Sequence, residues 1–311
     1  MVACKKVSFL CITLLFVSLL VDPGRPCYLF AQIPVVSSGR IERFENFKSG
    51  YVHPRNIDVW LPESYTPEKR YPVLYMNDGQ NLFDSTITFN KQEWCVDEVI
   101  SKLGSQNRID ECIVVGIWNN GVYRRSEYFP QKAFDLLSST IKDSLLNGEL
   151  KGEVRGDRYI QFITKELKPF IDKQFSTQTD RSHTFICGSS RGGLISMYAI
   201  CEYPEVFGGA ACISTHWPGK LGNVLPEIPK AFQHYISNNL PDPITHKIYF
   251  DYGTETLDSN YKPYQQEVDK LMKARGYTHE NWVTLEFKGA THAEIDWAKR
   301  FDKPLLFLLG K

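Results

Sequence analysis

A serine set among glycines, Gly188-Ser189-Ser190-Arg191-Gly192-Gly193, follows the short apolar run Thr184 to Cys187. Apolar residues resume at helical spacing from Leu194 to Ile200. Strand, tight turn and helix in that order are the setting in which G-x-S-x-G presents a nucleophilic serine. The backbone of such a serine is strained, and neighbours without a Cβ relieve the clash. The turn would lift the Ser190 hydroxyl above the sheet edge. It would aim the N–H of Arg191 and the start of the following helix at an oxyanion forming beside it. The pattern alone also fits an ordinary glycine-rich strand-to-helix turn, so its partners decide the matter.

A serine nucleophile needs a base, and the base needs an acid to orient it; behind such an elbow they follow as acid, then histidine. The expected strand Lys247 to Tyr252 runs into Gly253-Thr254-Glu255-Thr256-Leu257-Asp258, which holds two carboxylates. Either could be the acid. The expected strand Val283 to Phe287 runs into Lys288-Gly289-Ala290-Thr291-His292-Ala293-Glu294. His292 could there meet Ser190 across the sheet edge, or it could be a capping or surface histidine. His216, in Ser214-Thr215-His216-Trp217-Pro218, also follows a strand but precedes the acid. It reads as a substrate contact or as structural. Trp118, Tyr123, Arg124 and Arg125 could line a groove for an aromatic acyl group or a sugar, or stack as ordinary surface groups.

The elements that must hold these residues alternate between strand and helix. Arg40 to Phe47 and Asn56 to Leu61 alternate apolar and polar residues, as half-buried antiparallel strands do. Tyr71 to Met76 and Cys112 to Ile117 are apolar throughout, which suits buried strands, with a further strand at Gly209 to Ser214. Trp94 to Leu103, Tyr159 to Phe175, Tyr264 to Arg275 and Trp297 to Leu309 read as helices. This alternation predicts a mostly parallel sheet with helices on both faces. In such sheets, ligands bind outside the carboxyl ends of the strands, where the candidate residues fall.

Composition bounds the partners. Lys plus Arg and Asp plus Glu both total 36, and the 42% hydrophobic content suits a globular core. No basic field invites nucleic acid. Lys5 and Lys6 precede the uncharged stretch Val7 to Val21, then Asp22-Pro23-Gly24 and a small residue at Ala31. That is the pattern of an export signal cleaved after Ala31. Its apolar part is about 15 residues, short of the roughly 20 that span a bilayer. We therefore expect a signal peptide at 1–31, a single domain at 32–311 and a periplasmic or extracellular product without stable membrane association. An uncleaved anchor is the alternative. Five cysteines follow Ala31, an odd number that leaves at least one free thiol. Cys112, Cys187 and Cys212 lie in apolar runs, as buried small hydrophobes do. No C-x-x-C or H-E-x-x-H spacing occurs, and neither a metal nor a cofactor is expected.

Several motifs together carry a resemblance. They are Tyr75-Met76-Asn77-Asp78-Gly79-Gln80-Asn81-Leu82-Phe83, Gly116-Ile117 with Arg124, Glu127 and Tyr128, and the GSSRGG elbow. Asp251-Tyr252-Gly253 with Asp258, and Gly289 with His292 and Trp297, complete the set. Over residues 40–311 the chain resembles the putative esterase family of α/β hydrolases. That family includes esterase D, enterochelin esterases, mycolyltransferases and the feruloyl and acetyl-xylan esterases. The resemblance implies an α/β-hydrolase fold without a large lid. It implies Ser190 as nucleophile, His292 as base and Asp258, rather than Glu255, as the acid. It implies an oxyanion hole from the backbone N–H groups of Gln80 and Arg191. Asp78, Trp118, Arg124, His216 and Trp217 are the expected substrate contacts. The expected activity is hydrolysis of carboxylic esters through an acyl-enzyme, on a small-molecule or oligosaccharide ester such as a feruloylated or acetylated plant polysaccharide fragment. The alternatives are a siderophore esterase acting on catecholate triesters, and a carbohydrate- or acyl-binding protein without turnover.

Overall fold

Eight strands form in the computed structural model, which describes residues 32–311. They are β1 (Arg40–Phe47), β2 (Arg55–Leu61), β3 (Val73–Asn77) and β4 (Ile113–Ile117). Then come β5 (Thr184–Ser189), β6 (Gly209–Ile213), β7 (Lys247–Gly253) and β8 (Trp282–Phe287). They pair in the order β1-β2-β4-β3-β5-β6-β7-β8. Only β2 runs against the rest, since it pairs antiparallel with both β1 and β4. The chain steps from β3 to β4 on one side and returns to β5 on the other, so a crevice opens beyond the carboxyl ends of β3 and β5. The expected signal peptide lies outside the described residues. No helix among the described residues is long and apolar enough to cross a membrane.

Side-chain alternation along the strands feeds two cores. Val73 and Tyr75 of β3 join Ile113, Val115 and Ile117 of β4 in one core, packed under Phe162, Leu194 and Phe232. Leu74 and Met76 join Val114, Phe185 and Tyr249 in the other, against Ile100, Trp297 and Leu305. Helices therefore cover both faces, as the α/β-hydrolase fold requires, and strands buried on both sides read as unbroken apolar runs. β2 departs from the expected half-burial: all but one of its residues are buried. It is an interior strand between β1 and β4, whereas β1 at the edge stays half-exposed.

Two expected helices are interrupted, each near a proline. The segment read as Tyr159 to Phe175 is α-helical over Gly156–Gln161, π-helical over Phe162–Leu167 and α-helical again over Lys168–Gln174. Pro169 cannot donate to the carbonyl four residues back, and a wider turn absorbs the loss. The segment read as Trp297 to Leu309 forms Glu294–Ala298 and Asp302–Leu309 instead. Pro304 cannot donate to the Arg300 carbonyl, and the break lets Arg300 turn inward to 2% exposure. Helices at Ser139–Asn147 and Glu227–Asn239 are additional to those expected. Cys95, Cys112, Cys187, Cys201 and Cys212 are all free thiols.

Two glycines allow the strand ends to come together. A Cβ on Gly79 would lie 2.5 Å from the carbonyl carbon of Gly116. One on Gly188 would lie 2.7 Å from that of Gly192 and 2.9 Å from Asn77 Nδ2. At Gly188 the two backbones cannot separate without opening the elbow. Gly188→Ala should therefore destabilise the fold by about 1–3 kcal/mol. Urea unfolding should show a lower midpoint at unchanged slope; an unaltered midpoint would refute the close packing.

Candidate active site

The elbow is built from β5 and the helix Arg191–Glu202. Ser190 stands between them at φ 57° and ψ −120°, a conformation that costs a non-glycine residue on the order of 1–3 kcal/mol. Four hydrogen bonds pin it. Its N–H donates to the Ile213 carbonyl at 2.9 Å, and its carbonyl accepts from His216, Gly193 and Leu194 at 3.1, 3.1 and 3.3 Å. Asn77, at the end of β3, ties the elbow to the neighbouring strand. Its Nδ2 donates to the Cys187 carbonyl at 3.2 Å and to Ser196 Oγ at 3.0 Å, while its Oδ1 accepts from the Tyr159 hydroxyl at 2.6 Å. The N–H of Arg191 opens the helix and so has no intrahelical acceptor.

His292 and Asp258 meet although 34 residues separate them, with Nδ1 and Oδ1 2.5 Å apart. The other carboxylate oxygen accepts from the Ser214 hydroxyl at 2.5 Å and the Gly253 N–H at 2.7 Å. Behind it, Arg300 Nη2 reaches Ser214 Oγ at 2.8 Å, Asp251 at 3.0 Å and Asp258 at 3.8 Å. Burial pushes the Asp258 carboxyl up, but the bond to His292, its charge, Ser214 and Gly253 outweigh that and hold it below the usual range. The ring is fixed as well: Trp297 and Tyr261 stand edge-on to His292 at 5.1 and 5.7 Å. Glu255 is exposed, and its carboxylate faces the Thr254 hydroxyl at 3.4 Å. The structure thus joins Asp258, not Glu255, to the histidine.

Ser190 and His292 line one cavity of about 350 Å³. No hydrogen bond joins their side chains among the described residues; bonds of this kind often tighten only in a substrate complex. Asp78, Gln80, Asn119 and Arg124 form a polar wall. Arg124 clamps Asp78 through two bonds of 2.6 and 2.7 Å, and Asn119 adds a third at 2.7 Å. The Arg124 helix is anchored in turn by the buried Glu127–Arg55 pair at 2.6 Å. Arg191 itself is 3% exposed and paired with Glu149. Burial pushes its guanidinium down to about 10, with Glu149 opposing and Arg124 and Arg125 assisting.

Three expected contacts are not on the cavity wall. Trp118 donates its indole N–H to the buried Asp58 at 2.7 Å and stacks under Arg43 at 4.7 Å. Trp217 donates to Gln265 at 2.8 Å and is 2% exposed within the core. Each indole N–H needs an acceptor when buried, and each found one away from the site. His216 is 1% exposed and supports the elbow from behind, its Nδ1 2.8 Å from the Tyr261 hydroxyl. Conversely, Ser214, Arg300, Phe89, Trp94, Asn81 and Glu294 belong to the site's structure, although the sequence assigned a site role to none of them. Ser214 and Arg300 fell inside an expected strand and helix, and nothing in their spacing set them apart.

Burial first, then the charges of Arg191 and His292, push His216 down to about 3. Between about 6.5 and that value the unfolded chain binds a proton at His216 that the folded chain refuses. This share of stability is complete above pH 6.5 and drains away as the pH falls. His216→Gln should therefore lose less of its urea midpoint than wild type between pH 7 and pH 4.5. An identical loss in both would refute a neutral, buried His216.

The chain resembles known proteins over most of its length. It is 26% identical over 265 residues to the uncharacterized protein YbbA of Bacillus subtilis, covering 83% of this chain and 93% of that one. It is 22% identical over 292 residues to an endo-1,4-beta-xylanase/feruloyl esterase of Xylanibacter ruminicola, covering 90% of this chain and 33% of that larger protein. A solved ferulic acid esterase superposes with a TM-score of 0.61 at 19% identity, over 87% of this chain and 97% of the other. The family described as Putative esterase matches residues 51–308, and the chain, with its serine elbow, belongs to that family and is an esterase.

Proposed function

We propose that the chain is an exported serine hydrolase that removes feruloyl or acetyl groups from plant polysaccharide fragments through an acyl-enzyme. The observation that carries the catalytic part is the Asp258–His292 pair, 2.5 Å apart, whose histidine lines the same cavity as the strained Ser190. In this reading, His292 takes the Ser190 proton as the hydroxyl attacks the ester carbonyl. Asp258 holds the ring and stabilises the imidazolium. The carbonyl oxygen becomes an oxyanion against the N–H groups of Arg191 and Gln80. Collapse passes the proton from His292 to the departing alcohol, and water, activated by the same histidine, frees the acyl group. The likeness to a xylanase/feruloyl esterase supports the substrate class. The charged and apolar N-terminal pattern supports export.

A fluorophosphonate probe should label wild type and fail on Ser190→Ala; no labelling of wild type would favour a binding protein on the same fold. Asp258→Asn should lower kcat on the order of 10⁴-fold, and Glu255→Gln far less. Ser190→Ala should cost about as much as Ser190→Ala with His292→Ala, because the two act as one unit. A double variant much worse than either single one would sink the triad. Release from methyl ferulate or acetylated xylan should exceed release from a catecholate triester; the reverse ranking would move the substrate to siderophores. N-terminal sequencing of the mature protein should begin at Gln32 or within a few residues, whereas an intact Met1 in the membrane fraction would mean an anchor.

A further inference from the structure

One wall of the cavity is left without a role by these steps. Glu294 lines it, two residues beyond His292 and 8% exposed. Its carboxylate meets no cation among the described residues. Two amides serve it instead: Asn81 Nδ2 donates to Oε1 at 3.2 Å, and Asn90 Nδ2 to Oε2 at 2.7 Å. A carboxylate has about four acceptor sites, so roughly half remain open. Asn81 lies on the same wall at 7% exposure, and its Oδ1 is buried without a partner. Acceptors withdrawn from water are costly unless donors reach them. The open acceptor positions of Glu294 on this wall therefore ask for a ligand that brings hydrogen-bond donors.

The remaining surroundings narrow the ligand. Trp94 and Trp297 line the cavity beside Glu294, and Phe89 stands at its wall 84% exposed. Both tryptophans are buried, so Phe89 is the face that can pack against a ring with apolar edges. Arg124, paired with Asp78, lines the same cavity, so both signs of charge are present. A cationic alcohol would meet Glu294 but also face Arg124. A neutral alcohol with several hydroxyls satisfies both walls.

We infer that Glu294, held in place by Asn81, forms the subsite for the leaving alcohol, and that this alcohol carries neighbouring hydroxyl groups, as a sugar does. The inference rests on the esterase mechanism above: His292 must hand its proton to the departing oxygen, so the alcohol lies on the His292 side, where Glu294 follows in the same loop. Its hydroxyls donate to Glu294, and its ring rests against Phe89. Glu294 sets which alcohol is accepted and takes no part in proton transfer.

Monoacetylated xylose and cyclohexyl acetate share the acyl group and a six-membered ring but differ in hydroxyls. Wild type should favour the xylose ester by at least about tenfold in kcat/KM. Glu294→Gln should cut that preference by about tenfold, because an amide replaces an acceptor with a donor. An unchanged ratio, or a wild type without the preference, overturns the assignment. So does faster hydrolysis of acetylcholine than of either ester, which would give the wall to a cation. Free xylose should also compete with cyclohexyl acetate on wild type, a measurement that needs no variant; no inhibition overturns the subsite too. If wild type turns over neither acetate and the fluorophosphonate leaves Ser190 unlabelled, the esterase mechanism itself has failed.

Discussion

The positive φ of Ser190 is the constraint around which the sheet is arranged. An L-residue does not hold that conformation unaided, so its surroundings must over-determine it. Three elements do so at once: the end of β6 accepts its N–H, the loop after β6 donates to its carbonyl, and the next helix begins on that carbonyl. Asn77 adds the end of β3. Gly188 lets these parts close to within van der Waals contact. The strain is thus spread over the carboxyl edge of three strands, and the hydroxyl it presents is rigid because none of them can shift alone.

Across the edge the problem is electrostatic. Asp258 is 1% exposed yet must remain charged beside its histidine. Burying a carboxylate is unfavourable unless hydrogen bonds and a counter-charge replace water. Ser214 and Gly253 supply the bonds, and Arg300 supplies a positive charge at one remove, shared with Asp251. Arg300 turns inward where the last helix breaks ahead of Pro304. A proline far along the chain therefore bears on the acid that orients the base.

Much of this was legible in the sequence. The glycines around Ser190, the order of acid and histidine, and the apolar runs of β3 and β4 all reflect backbone and burial demands that act locally. The rest depends on contacts between segments far apart in the chain. Trp118 looked like a groove residue, but its aromatic type says nothing about Asp58, on a strand it meets only after folding. Asp258 and Glu255 differ by three positions in one loop, and only the turn at Thr256–Asn260 decides which faces inward. The helix Glu227–Asn239 carries its apolar residues at helical spacing, yet Pro229 in its first turn disguises the start.

The five free thiols have a consequence for how the chain can be made. No covalent link contributes to the described fold, so reaching it requires no oxidant and no isomerase. Burial pushes Cys112 up to about 12, and burial with nearby carboxylates pushes Cys95 up to about 11. At neutral pH neither presents an appreciable thiolate, the form that reacts. Burial raises Cys187, Cys201 and Cys212 in the same direction, so the five thiols of the described residues stay chemically silent in reducing and oxidising surroundings alike.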